Sequence, residues 1–282
     1  MNETWFKFSS SETLHVCISG NGSRHILLLH GFAASLHTWD DLLPFFDPDM
    51  FTLHLIDLKG HGKSLKPVGG NYSPVHFARM INSYIECKGL RNLTLIGHSL
   101  GGAVSLIMAL ELTVITALVL IGAPAFPQKI PVFMRFLAIP FIGPAVTMAI
   151  PARFIAKGGL NSVFFNHQLI TEHHLERYAR FYQKVGNILG LARTVRQIIP
   201  TAHLGIIEKI KAITIPVLLI WGNNDRVVGK WQGEKLHALL PDSRLVVIPE
   251  CGHNPHEEQP QNTFDIISNF LSSLDFKNNN RI

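Results

Sequence analysis

The stretch 93–102, Leu-Thr-Leu-Ile-Gly-His-Ser-Leu-Gly-Gly, constrains this chain of 282 residues more than any other. An apolar run stops at Gly97, and an apolar segment compatible with a helix follows at 103–110. Ser99 lies between Gly97 and Gly101, so the pattern is G-x-S-x-G at a strand-to-helix junction. Such a junction forces a sharp turn and strains the serine backbone, leaving no room for a Cβ two residues before or after it. The turn presents the hydroxyl at the carboxyl edge of a sheet. The N–H of Leu100, heading the next helix, then points at a developing oxyanion.

The rest of the chain supplies a sheet for that turn. Short apolar strands are predicted at 5–9, 14–19, 25–30, 51–56, 93–96, 117–121, 217–221 and 245–248. Helices are predicted at 39–46, at 73–87 and at 260–274, with a polar tail at 277–282. Ser73 caps the second of these, Pro74 takes its first position and Gly89 lies just past its end. Nearly continuous apolar strands alternating with helices imply an α/β fold, a mostly parallel sheet covered on both faces. With 47% hydrophobic and 16% charged residues, the chain can fill a large core, which excludes disorder. The alternation breaks between Pro124 and His203, where Phe, Pro and Arg abound and no strand signal occurs. This segment reads as a helical insertion closing over the carboxyl edge of the sheet. The expected organisation is core at 1–123, cap at 124–203 and core again at 204–282.

Several function classes fall away. Three cysteines, Cys17, Cys87 and Cys251, make no disulfide framework, and the N-terminus lacks a signal-peptide pattern, so a cytoplasmic setting is expected. The uncharged run 136–152 falls short of a membrane span and is broken by Pro140, Pro144 and Pro151. A lid touching a membrane surface transiently stays open. Gly60-His-Gly-Lys-Ser64 resembles a phosphate loop, but that loop requires glycine where Asp57 stands. The pairs His253/His256 and His173/His174 lack zinc-site spacing, so neither metal nor other cofactor is expected, and nothing points to nucleic acid. Charge is unevenly spread. Nine basic residues in 124–205 face only Glu172 and Glu176, a local excess of +7 against a chain total of +5. Such a surplus suits an acidic partner or a solvated face.

A serine hydroxyl needs a base to take its proton and a third group to orient that base. His253 fits the first role, on the loop after strand 245–248, with His256 its near rival. Asp225 fits the second, after strand 217–221, although it could also cap a helix. No acid lies close after strand 117–121. The order Ser99, Asp225, His253 is that of the α/β-hydrolases.

Together with His30-Gly31-Phe32, Asp57-x-x-Gly-His-Gly-x-Ser64, Trp221-Gly-x-x-Asp225 and Gly252-His253, the chain resembles a capped α/β-hydrolase over nearly its whole length. The resemblance implies an eight-stranded, mostly parallel sheet with the cap inserted after strand 6. It implies Ser99 as nucleophile, His253 as base and then acid, Asp225 as orienting carboxylate, and the N–H groups of Phe32 and Leu100 as oxyanion hole. A pocket lined by Phe32, His98, Leu100, Phe133, Phe136, Phe164, Phe165 and Val227 is expected for a hydrophobic acyl group. The resemblance further implies a carboxylic ester as substrate, of the kind carried by an acidic acyl carrier protein that meets arginines such as Arg135, Arg153, Arg177, Arg180, Arg193 and Arg196. Hydrolysis of C–C bonds in meta-cleavage products, and a receptor that merely binds small molecules, are the alternatives. A serine rather than an aspartate at 99 excludes the dehalogenases and epoxide hydrolases of this superfamily.

Overall fold

The computed structural model describes residues 1–201 and 206–279. The predicted strands all form: β1 (Asn2–Lys7), β2 (Thr13–Ser19), β3 (Arg24–Leu29), β4 (Phe51–Ile56), β5 (Leu93–His98), β6 (Ile115–Ile121), β7 (Val217–Gly222) and β8 (Ser243–Ile248). They make one eight-stranded sheet in the order β1-β2-β4-β3-β5-β6-β7-β8. β2 pairs antiparallel with β1 and β4, and every other pairing is parallel. Parallel strands need crossovers, and α1 (Pro74–Cys87) and α2 (Leu100–Glu111) supply two. Ser73 Oγ accepts from His76 N–H, and Pro74 opens α1 as expected.

Both faces of the sheet are dry at its central strands β4, β5 and β7. Alternate side chains of β3 show why: Leu27 and Leu29 pack with Phe77, Met80 and Tyr84 of α1, while Ile26 and Leu28 pack with Trp39 on the opposite face. There α11 (Pro260–Asn279) lays Ile267, Phe270 and Leu271 against the sheet. The helix expected at 39–46 is instead two 3-10 turns, Leu36–Trp39 and Leu43–Phe45. Pro44 has no N–H to extend an α ladder, and fully buried Trp39 anchors the segment instead. The tail predicted from 277 continues α11 to Asn279, and 280–282 lie outside the described residues.

Between β6 and β7 come α3 (Val132–Leu137), α4 (Ile142–Ala149), α5 (Ala152–Val163), α6 (Glu172–Tyr182) and α7 (Val185–Thr201). No strand occurs among the described residues of this segment, and the boundary placed at 203/204 lies outside them. The remaining helices are α8 (Ile206–Lys209), α9 (Trp231–Leu239) and α10 (Pro255–Glu258). Among the described residues no helix is long and apolar enough to cross a membrane.

The Gly-rich turn after β4 is built around Asp57. Its carboxylate accepts from Leu36 N–H, Lys63 N–H and His15 Nδ1–H, each at 2.8 Å. Gly62 has φ +49, and a Cβ there would come within 2.2 Å of that carboxylate. Nearby, His30 Nε2 accepts from Leu58 N–H at 3.0 Å, and Nδ1–H donates to Gly31 O at 2.8 Å. Burial lowers the pKa of His30, which suits the neutral tautomer that these bonds require. The loop carrying Phe32 is thereby tied to the Asp57 turn.

Candidate active site

Ser99 sits where β5 ends and α2 begins, with φ 49° and ψ −116°. The neighbouring glycines explain how the chain tolerates that conformation. A Cβ on Gly97 would lie 2.6 Å from Gly101 O, and one on Gly101 would lie 2.2 Å from Leu29 O. Gly31 faces the same turn, for a Cβ there would stand 2.8 Å from His98 Nδ1 and 3.2 Å from Ser99 Cβ. Ser99 N–H donates to Ile121 O at 2.9 Å and pins the turn to β6.

Asp225 and His253, 28 residues apart in sequence, meet at the ends of β7 and β8. His253 Nδ1 lies 2.7 Å from Asp225 Oδ2. Asp225 Oδ1 accepts from Val227 N–H at 2.8 Å and Val228 N–H at 2.9 Å, so the carboxylate cannot swing away. A carboxylate at Nδ1 puts the imidazole proton there and leaves Nε2 with its lone pair. Both side chains are almost wholly buried. Gly122 (φ +53) forms the floor: a Cβ there would approach the imidazole to 3.0 Å and Asp225 Oδ2 to 3.3 Å.

The His253 loop is held from two more sides. His253 N–H donates to Val163 O at the end of α5, at 2.6 Å. His98 Nε2–H donates to His253 O at 3.0 Å. Burial, reinforced by the neighbouring His256 and His253, holds His98 well below the usual histidine range, so it stays a neutral donor. The rival His256 is fully buried, bonded through Nε2 to Thr38 Oγ1 at 3.0 Å and tilted against Trp39 with ring centres 4.7 Å apart. Burial and the charge of His253 push its pKa down to about 3, so it cannot serve as the proton carrier near neutrality.

Ser99 and His253 open into one cavity of about 810 Å³ between the sheet edge and the helices after β6. Of the expected lining, Phe32, His98, Leu100, Phe133, Phe136 and Val227 are there. Phe164 and Phe165 are not. Phe164 turns into the core and lies 5.4 Å from the His174 ring, while Phe165 faces outward beside a smaller surface pocket. Among the described residues the N–H groups of Phe32 and Leu100 find no backbone acceptor, so both stay available at the cavity wall. Among the described residues the lining includes neither Lys nor Arg.

Sequence reading missed three contributors. Gly122 is one, signalled only by a glycine just past a buried strand. Tyr178 is the second: its ring lines the cavity, and its hydroxyl donates to Glu257 Oε2 at 2.9 Å. Glu258, almost fully buried, is the third. Its carboxylate accepts from Gly252 N–H at 2.7 Å, Phe165 N–H at 2.9 Å and Asn166 N–H at 2.7 Å. It therefore joins the His253 loop to the turn after α5, and no local pattern announced it.

The basic surplus is partly internal. Arg177 is buried and pairs with Asp41 at 2.7 Å and Glu257 at 3.2 Å. Arg153 pairs with Glu172, and Arg180 with Glu176. For metals, Glu3, His15 and Cys17 place donor atoms within 4.8 Å of one another, outside the cavity. Lys63 already pairs with Glu3 and Asp57 with His15, which leaves that group occupied internally.

Comparison with known proteins identifies the family of the chain. A family model described as the alpha/beta hydrolase family matches residues 26–266. The uncharacterized hydrolase YugF of Bacillus subtilis is 27% identical, over 89% of this chain and 90% of its own. A 2-hydroxy-6-oxononadienedioate/2-hydroxy-6-oxononatrienedioate hydrolase of Comamonas testosteroni is 27% identical, over 86% of each chain. Monoacylglycerol lipase abhd6-A of Xenopus laevis is 26% identical, over 98% of this chain and 84% of its own.

Proposed function

The chain belongs to the alpha/beta hydrolase family, and from that premise we propose that it is a serine hydrolase cleaving carboxylic esters of a medium, long or otherwise hydrophobic acyl group. The observation that carries this reading is the His253–Asp225 pair at 2.7 Å, sharing a large apolar cavity with a serine in a strained turn.

In the proposed reaction Ser99 Oγ attacks the ester carbonyl carbon while His253 Nε2 takes its proton. The carbonyl electron pair moves onto oxygen, and the N–H groups of Phe32 and Leu100 hold the oxyanion. That intermediate collapses, the bond to the alcohol oxygen breaks, and the alcohol leaves with the proton from His253. Water then attacks the acyl-enzyme, giving its proton to His253. The second intermediate expels Ser99 Oγ, which recovers the proton, and the acid departs. Asp225 keeps the imidazole in register and stabilises it when charged. Each oxyanion donor is worth about 3–4 kcal/mol and base catalysis about 10²–10⁴ in rate.

Relatives of this chain include hydrolases of dienoate diacids as well as a lipase. A cavity wall with no Lys or Arg among the described residues favours the ester, because a substrate carboxylate would lose its water with no cation in exchange. An acyl-carrier-linked ester is a narrower form of the same substrate. With Arg153, Arg177 and Arg180 paired internally, that form rests on Arg135, Arg193 and Arg196. A fluorophosphonate probe should label Ser99, and Ser99→Ala should abolish both labelling and turnover of a p-nitrophenyl ester series of graded chain length. Absence of labelling and of an alcohol burst refutes the enzyme reading. Faster turnover of a ring-cleavage dienoate than of any ester refutes the ester assignment.

A further inference from the structure

Among the described residues nothing covers the outer apolar side chains of α3–α5. Val132, Phe133, Ile139, Phe141, Ile142 and Phe154 stand between 42% and 87% exposed. Single exposed apolar residues are ordinary, but six in one stretch of chain, with Phe133 and Phe154 at the same cavity, mark an interaction surface. The same stretch is one-signed in charge: from 112 to 171 there is no Asp or Glu. Lys129, Arg135 and Lys157 are exposed there, and among the described residues they form no ion pair. Phe141, the most exposed of the set, is held at φ 62° and ψ −49°, the centre of a γ-turn closed by Ile142 N–H to Pro140 O at 2.7 Å. That backbone region is strained for a bulky residue, and here the strain thrusts an aromatic ring into water.

We propose that this face docks on a lipid bilayer carrying anionic headgroups, and that an ester enters the cavity directly from the lipid. Three observations favour that occupant. The apolar side chains fit the acyl boundary of a membrane, while the unpaired cations beside them fit its anionic surface. A second copy on the same face would bring like charges together, and an acidic soluble protein would leave the aromatic group wet. Phe133, Phe136, Ile150 and Phe154 both line the cavity and remain exposed, so the cavity mouth opens on this face. At twelve residues or fewer, α3, α4 and α5 lie on a bilayer rather than across it. The delivery step rests on the ester reading above; the docking does not.

The test is cosedimentation of the Ser99→Ala protein with vesicles of phosphatidylcholine alone or mixed with phosphatidylglycerol. Binding to the mixed vesicles, weaker on neutral ones and weakened by salt, is expected. The double variant Phe141→Gly/Val132→Ser replaces no residue that lines the cavity and relieves the strained turn. It should bind about tenfold less or weaker still, while hydrolysis of a water-soluble short-chain ester by the serine-intact form is unchanged. Protein left in the supernatant with both vesicle types overturns the proposal. So does undiminished binding of the double variant, a wild-type dimer that the double variant dissolves, or retention on an acidic carrier protein without retention on vesicles. Vesicle binding without ester turnover would refute the assigned activity and leave the docking standing. Turnover without vesicle binding would do the reverse.

Discussion

Gly122 carries no functional group, yet its missing side chain sets the position of the groups that do. A methyl there would press on the imidazole at 3.0 Å and on Asp225 Oδ2 at 3.3 Å, and φ +53 is unfavourable for alanine besides. Misplacing a base by about an ångström costs on the order of 10² in rate. Gly122→Ala should therefore lower kcat for a short ester by about that factor with KM little changed, and slow fluorophosphonate labelling to match. Steady-state kinetics beside a Tm measurement separate this from simple unfolding. At this scale the sequence was most readable where chemistry dictates residue type: Ser99, Asp225 and His253 each follow a strand end, and strands announce themselves. It was least readable for Phe164 and Phe165. Their composition suited a pocket, but the direction of a side chain at the end of α5 depends on what α6 and Glu258 offer it, and neither is local.

Glu258 belongs to α10, a helix of four residues, yet it joins two larger elements. One carboxylate satisfies N–H groups of Gly252, Phe165 and Asn166. Those donors belong to the loop of the proposed base and to the turn between α5 and α6. Glu258→Ala leaves Gly252 N–H buried without an acceptor, while water can reach the other two, so a loss of about 2–4 kcal/mol in stability is expected. Chemical denaturation measures that loss. If Glu258 also positions the imidazole, kcat falls well below that of the wild type at temperatures where the variant is fully folded. Unchanged kcat in the folded variant would reduce its role to structure. The element pattern itself was legible, since strands buried on both faces and a capped α1 follow from apolar runs and turn residues. The helix expected at 39–46 was not, because one proline at 44 redirected the backbone into 3-10 turns.

At the scale of the whole molecule, His15 and Asp57 tie the antiparallel edge of the sheet to the turn after β4. Burial alone would lower His15, but the Asp57 hydrogen bond and charge override it and raise the imidazole to about 9. Burial would likewise raise Asp57, yet the His15 hydrogen bond and the N–H groups of Lys63 and Leu36 hold it at about 2. The His15 contribution is complete below its unfolded value of 6.5 and is lost as pH rises through 9. The Asp57 contribution is complete above 3.8 and is lost as pH falls through 2. Their combined effect thus peaks between about pH 4 and 6.5, and the His15 part is at most roughly 3 kcal/mol. The difference in unfolding free energy between wild type and His15→Gln should shrink from pH 6.5 to 9.5. A constant difference would show that the pair is not ionic. The sheet, the order in which Ser99, Asp225 and His253 follow strand ends, and the helical segment after β6 were all foreshadowed by strand spacing. The apportioning of charge was not, because Arg177 looks like any surface arginine until Asp41 and Glu257 are seen closing on it.

The backbone bond from His253 to Val163 has a practical corollary for anyone recasting this scaffold. Exchanging the helices above the sheet for those of a homologue, in the hope of altering only which molecules are accepted, would also shift the carbonyl that anchors the imidazole's loop. The helices above the sheet and the loop bearing His253 are mechanically coupled here, and a chimaera would have to keep that one acceptor in place before its new preferences could be read.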